Sequence, residues 1–133
     1  MIKFILFFSL LVSYSATSQM SNYSEKEIAD YIQLLIGGER EVSVTSGRID
    51  LVHDGVAFEI EWANKWKESI GQALWYAQQS NKIPGIILII KKDTDYKYFL
   101  QLNTTLDFAK LNEKVKVYLF PRDFKKFMDN TKE

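Results

Sequence analysis

The sequence predicts an α/β fold, a mixed four- to five-stranded sheet flanked by helices. Three observations carry that prediction. Asp54-Gly55 separates two runs of alternating polarity, which is the signal of a tight antiparallel hairpin. Ile86 to Ile90 is an unbroken aliphatic run, as expected of a strand covered on both faces. Between them, residues 64 to 80 repeat apolar side chains at helical spacing: Trp66, Ile70, Ala73, Leu74 and Ala77. A hairpin, then a helix, then a doubly buried strand implies a sheet with both antiparallel and parallel neighbours.

The remaining elements are read in chain order. Ser21 to Ile36 is predicted helical, with Ile28, Tyr31, Ile32, Leu35 and Ile36 on one face. Ser24 and Glu27 form a capping box, and Gly37-Gly38 ends the helix. Glu41 to Ser46 reads as a short strand with Val42 and Val44 inward, and the hairpin strands come next. Asn81 to Gly85, with Pro84, reads as a turn. Asp93 to Leu102 reads as a short helix, and Thr104 to Asn112 is either a second helical piece or a loop. Val115 to Phe120 is a last strand ended by Pro121, and Arg122 to Glu133 is a charged helix or tail. No repeat or linker divides the chain.

Composition narrows the function classes. With 133 residues, 47% hydrophobic and 26% charged, the chain has the make-up of one globular domain. Seventeen basic and seventeen acidic residues cancel, which argues against a strong charge-driven grip on nucleic acid and leaves room only for a local basic patch. The absence of cysteine excludes disulfides, thiolate metal sites and cysteine catalysis. His53 is the single histidine and sits beside the hairpin turn, where a turn role outweighs a metal role, because histidine ligands come in clusters. At the N-terminus, Lys3, the apolar run Phe4 to Val12 and the small residues Ala16-Thr17-Ser18 form the pattern of an export signal. The run is shorter than the ~20 residues a membrane span needs. Residues 1–18 are therefore expected to be removed, leaving residues 19–133 as an exported domain, periplasmic or extracellular; an uncleaved anchor or a buried first helix is the alternative.

The hairpin also carries the chemistry. Counting back from Asp54-Gly55, His53 faces Val56, Val52 faces Ala57, Leu51 faces Phe58 and Asp50 faces Glu59. Alternation places Ile49, Leu51, Phe58, Ile60 and Trp62 on one face, and Arg48, Asp50, Glu59 and Glu61 on the other. Two carboxylates with Cβ atoms ~5 Å apart repel each other unless a cation lies between them. The plain alternative is a solvated strand face, with Arg48 and Glu61 as a cross-strand ion pair. On the following helix Lys65, Ser69, Gln72 and Tyr76 form a second stripe; at ~100° per residue Lys65, Gln72 and Tyr76 fall within ~20° of each other, and Lys67 lies on another face. That stripe is either part of the same cleft or an ordinary boundary face with a Tyr–Gln hydrogen bond. Trp62, Trp66 and Trp75 read as core or rim packing ahead of base-stacking platforms.

The segments GRIDLV, FEIEW, KWKESIGQALWYA and KIPGIILII together resemble the PD-(D/E)XK nuclease superfamily, with its restriction-endonuclease-like core, and within it the RecB-type branch. The resemblance spans Glu27 to Ile90. It implies that Asp50 and Glu59 are the two metal-binding acids and that Gln72 and Tyr76 are the branch's Gln-x-x-x-Tyr pair. The family lysine position holds Glu61 here, and Lys65 on the next helix is the best-placed substitute; Glu27 matches a first-helix acid that capping explains equally well. The resemblance thus implies a Mg²⁺- or Mn²⁺-dependent phosphodiester hydrolase acting on DNA or RNA, with catalytic residues Asp50, Glu59, Lys65, Gln72 and Tyr76 and metal ligands Asp50, Glu59 and Glu61. The alternative is an exported binding or interaction protein that keeps the fold without catalysis.

Overall fold

The computed structural model describes residues 22–130. The expected signal segment, residues 1–18, lies outside them. Helix α1 (Glu25–Ile36) precedes strands β1 (Glu39–Val44), β2 (Gly47–His53) and β3 (Val56–Trp62). A 3₁₀ turn (Ala63–Lys65) leads into α2 (Trp66–Ser80), then β4 (Ile83–Ile89), a second 3₁₀ turn (Asp93–Asp95), α3 (Tyr96–Phe108), β5 (Lys116–Phe120), a third 3₁₀ turn (Arg122–Phe124) and α4 (Lys125–Asp129). The strands lie in the order β1-β2-β3-β4-β5. The first two pairings are antiparallel and the last two parallel, with α2 and α3 as the crossovers. The protein is α/β, a five-stranded mixed sheet flanked by helices.

Helices cover both faces, and β4 records this most directly. Ile86, Leu88 and Ile90 pack with Trp66 and Ala73 of α2 and with Leu102 and Leu106 of α3. Ile87 and Ile89 pack the other way, with Ile28 and Ile32 of α1 and with Phe124 and Met128. A strand with two dry faces must be aliphatic at every position, and this is why the run is continuous. In α2, Trp66, Ala73 and Ala77 are buried as the periodicity requires. Helix α1 has the expected start: Ser24 Oγ accepts from the Glu27 N–H at 3.1 Å, and the Glu27 carboxylate accepts from the Ser24 N–H at 3.3 Å.

Several boundaries depart from expectation. Strand β4 begins at Ile83, inside the segment read as a turn. Its pairing with β5 starts only at Gly85, so Pro84 lies where a single neighbour is present. The short helix expected from Asp93 continues through the segment left open at Thr104 as one helix, α3, ending at Phe108, because Leu102 and Leu106 lie one turn apart in the same core. Within the C-terminal charged segment, Arg122–Phe124 and Lys125–Asp129 are helical, anchored by Phe124 and Met128; residues 131–133 lie outside the described residues. Among the described residues no helix is long and apolar enough to cross a membrane.

Candidate active site

The hairpin register is as counted from the turn: His53 pairs with Val56, Val52 with Ala57 and Leu51 with Phe58. The regular ladder stops there. The Asp50 carboxylate leaves the backbone pattern and accepts a hydrogen bond from the Ile60 N–H at 2.8 Å. On the other side the ladder skips Glu41 opposite Asp50, and Glu41 sits at φ 54°, while the Arg40 guanidinium donates to the Asp50 carbonyl. This local distortion corrects the expected facing of β2. Leu51 packs with α1, as do Phe58 and Ile60, but Ile49 joins Ala57 and Ala77 under α2. Period-2 alternation holds only while the strand stays regular, and irregular pairing re-aims side chains.

That distortion brings carboxylates together. Asp50 and Glu59 approach to side-chain hydrogen-bonding contact. Glu59 is 5% exposed, and its Oε1 has no hydrogen-bond partner. Burial, then the Asp50 charge, pushes the Glu59 carboxyl up to about 9. Burial also raises Asp50, and the Ile60 N–H opposes that rise. Two strand positions beyond Glu59, Glu61 shares a hydrogen bond with Glu25 from the first turn of α1. Burial, then Glu61, raises Glu25 to about 8. Four carboxyl groups from two strands and a helix thus converge at one end of the sheet.

Two positive charges border this cluster: the Arg40 guanidinium beside Asp50, and Lys65, whose Nζ lies 4.0 Å from Glu61 Oε1. The Lys65 backbone belongs to the 3₁₀ turn that redirects the chain from β3 into α2. Lys67 points away, its ammonium 5.8 Å from the centre of the Trp66 ring. The Arg48–Glu61 pair of the alternative reading does not form; Arg48 pairs with Glu41 at 3.4 Å, and Lys65 takes Glu61 instead. The polar stripe of α2 divides as well. Ser69 is fully buried and donates to the Lys65 carbonyl at 3.3 Å. Gln72 is exposed, and Tyr76 lies over Gly47, where an added Cβ would meet its hydroxyl at 2.5 Å. Among the described residues no hydrogen bond links Gln72 or Tyr76 to the carboxyl groups.

Glu25 is the residue that sequence reasoning missed. Glu27, the acid that matches the first-helix position of the resemblance, is occupied as a cap. The signal for Glu25 was present, because it extends the buried stripe of Ile28, Ala29 and Ile32 at i+3, i+4 and i+7. His53 lies away from the cluster, in an apolar cleft of about 320 Å³ walled by Phe58, Tyr118, Phe124 and Phe127. That cleft brings no group to the carboxylates.

Among the described residues no set of three or more histidine, cysteine or acidic side chains is already arranged to hold a metal ion. The chemistry of the cluster nonetheless fits a hard divalent cation. Its donors are all oxygen, one buried oxygen has no partner, and burial with neighbouring like charge raises Glu59 and Glu25, so that a cation would compete there with protons.

No protein-family model matches the chain, and no solved structure matches it significantly. A stretch of 63 residues is 38% identical to part of a viral protein, the KilA-N domain-containing protein L33 of Acanthamoeba polyphaga mimivirus. The match covers 47% of this chain and 26% of the viral one, so this chain spans about a quarter of that relative.

Proposed function

We propose that the protein is a metal-dependent phosphodiester hydrolase of the PD-(D/E)XK type, acting on nucleic acid. The observation that carries this reading is Glu59: a buried carboxyl with an unpartnered oxygen, set against Asp50 and flanked by Glu61 and Glu25, with Lys65 at the edge. A purely structural cluster of this kind is costly, since buried acids of like charge stay together only by remaining protonated. Asp50, Glu59 and Glu61 would hold Mg²⁺ or Mn²⁺, and Glu25 would join them or orient Glu61. Such a cation would supply Lewis-acid chemistry, acidifying a water and polarising the phosphate. Asp50 is held in place by the Ile60 N–H, and Glu59 lies buried beside it. Lys65 offsets charge that develops on the phosphate oxygens.

The test is a calorimetric titration of the full chain with Mn²⁺, followed by cleavage assays on single- and double-stranded DNA and RNA. Saturable binding that disappears in Asp50→Asn, together with cleavage, supports the reading. Glu61 in the family lysine position favours a second reading, a binding protein that keeps the fold without catalysis. Metal binding without cleavage of any of the four substrates selects that second reading.

A further inference from the structure

A second feature adjoins the carboxylate cluster. Where β3 and β4 end, a recess of about 270 Å³ is lined by Trp62, Asn64, Lys65, Lys91, Lys92 and Tyr98, with Asp95 at its base. Lys65 belongs to both places: its ammonium lies 4.0 Å from Glu61 Oε1, and the residue lines the recess. The recess therefore adjoins the cluster through Lys65. Asp95 is buried, and its carboxylate accepts from the N–H groups of Lys91 and Lys92 at 3.1 and 3.2 Å. It is used to hold the loop, through the backbone rather than the ammonium groups. Among the described residues neither Lys91 nor Lys92 has a carboxylate within ion-pairing distance. The Lys91 ammonium lies 5.5 Å from the centre of the Trp62 ring, which places its charge at the aromatic wall.

Three cations and two aromatic rings in one recess match the chemistry of a nucleotide, an anionic phosphate joined to a flat base. Size decides between one nucleotide and a longer segment. The volume, just below the ~300 Å³ lower limit of drug-sized pockets, suits one unit of a chain that continues outside the recess. Pairing decides between single strand and duplex, because an aromatic wall can stack only a base that is not held in a helix. The neutral net charge fits a short footprint with few phosphate contacts.

We infer that this recess is a subsite for one unpaired nucleotide, with its phosphate on Lys91 and Lys92 and its base against Trp62 or Tyr98, next to the phosphodiester that lies at the carboxylates. The inference rests on the hydrolase reading for its orientation but is tested without cleavage. The full chain is titrated with fluorescently labelled single-stranded DNA and with a duplex of the same length, in EDTA, over a series of salt concentrations. Three contacts, Lys65, Lys91 and Lys92, give an expected slope of log affinity against log salt of about −2 for single strands. The exposed double variant Lys91→Ala/Lys92→Ala should reduce the slope to about −0.7. Tyr98→Leu should weaken single-strand binding about tenfold with little change in slope. The duplex should bind about tenfold more weakly than the single strand.

A slope unchanged in the double variant, equal or tighter binding of the duplex, or no binding at the lowest salt overturns the subsite. The two readings fail separately. Lysine-dependent binding of the single strand with no metal uptake or cleavage keeps the subsite and removes the hydrolase. Cleavage with an unaltered salt slope does the reverse.

Discussion

At the scale of residues, the cluster is a balance between like charges and the protons that quiet them. Asp50→Asn keeps an acceptor for the Ile60 N–H and removes one repelling charge. Metal-free stability should therefore be unchanged or higher in this variant, while the melting-temperature increase caused by Mn²⁺ in the wild type should vanish. Thermal unfolding of both proteins with and without Mn²⁺ checks this; an equal increase in both rejects Asp50 as a ligand. The two neighbouring lysines give a second comparison. Lys65 lies at the cluster and Lys67 on Trp66, so Lys65→Ala should cut cleavage roughly a hundredfold, the scale of one lost electrostatic stabiliser, and Lys67→Ala should stay near wild type. Steady-state rates on the best substrate decide it, and comparable losses would discredit the role given to Lys65.

At the scale of elements, β3 and β4 pack through a glycine. The Phe58 ring lies across Gly85, and a Cβ there would come within 2.5 Å of it. Phe58 belongs to the core on the α1 face, so it has little room to withdraw. Gly85→Val should cost about 1–3 kcal/mol or more through overpacking. Gly71, in the exposed part of α2, has nothing within 4 Å of an added Cβ, and Gly71→Ala should gain about 0.5–1 kcal/mol. Urea unfolding of the two variants should move their midpoints in opposite directions; a shared direction would show that the close approach at Gly85 does not constrain the sheet.

At the scale of the whole molecule, the cluster makes stability depend on pH. Glu59 titrates near 9 in the folded chain, against 4.5 for an ordinary glutamate, and Glu25 near 8. Between the unfolded and folded values the native state binds more protons than the unfolded chain, so stability falls as pH rises. The contribution is complete below about 4.5 and is lost as pH passes 8 and then 9. The metal-free protein should therefore lose stability from weakly acidic to alkaline pH, and Glu59→Gln should flatten that decline. Denaturation midpoints measured in EDTA across this range test it, and an unchanged slope in the variant would show that Glu59 is not the titrating group. Metal binding should take the opposite course and tighten with rising pH, because the cation competes with those same protons.

The sequence by itself determined the α/β class, the hairpin turn at Asp54-Gly55, the Leu51–Phe58 register and the doubly buried run in β4. Each of these is written in local periodicity or turn chemistry, which neighbouring residues alone enforce. It also singled out Asp50, Glu59, Glu61 and Lys65, because the hairpin and the tight passage into α2 keep them close along the chain. Only the tertiary structure decided the rest. The break at Glu41 and Asp50 sent Ile49 to the opposite face from Leu51, and no alternation pattern encodes such a break. Packing of α1 across the sheet brought Glu25 to Glu61, two residues far apart in the chain with no shared period. The recess likewise joins Lys65 to Lys91 and Lys92 through the parallel pairing of β3 with β4, a contact between strands separated by a whole helix. Local physics chooses the elements and their faces; long-range packing chooses which of their ends meet.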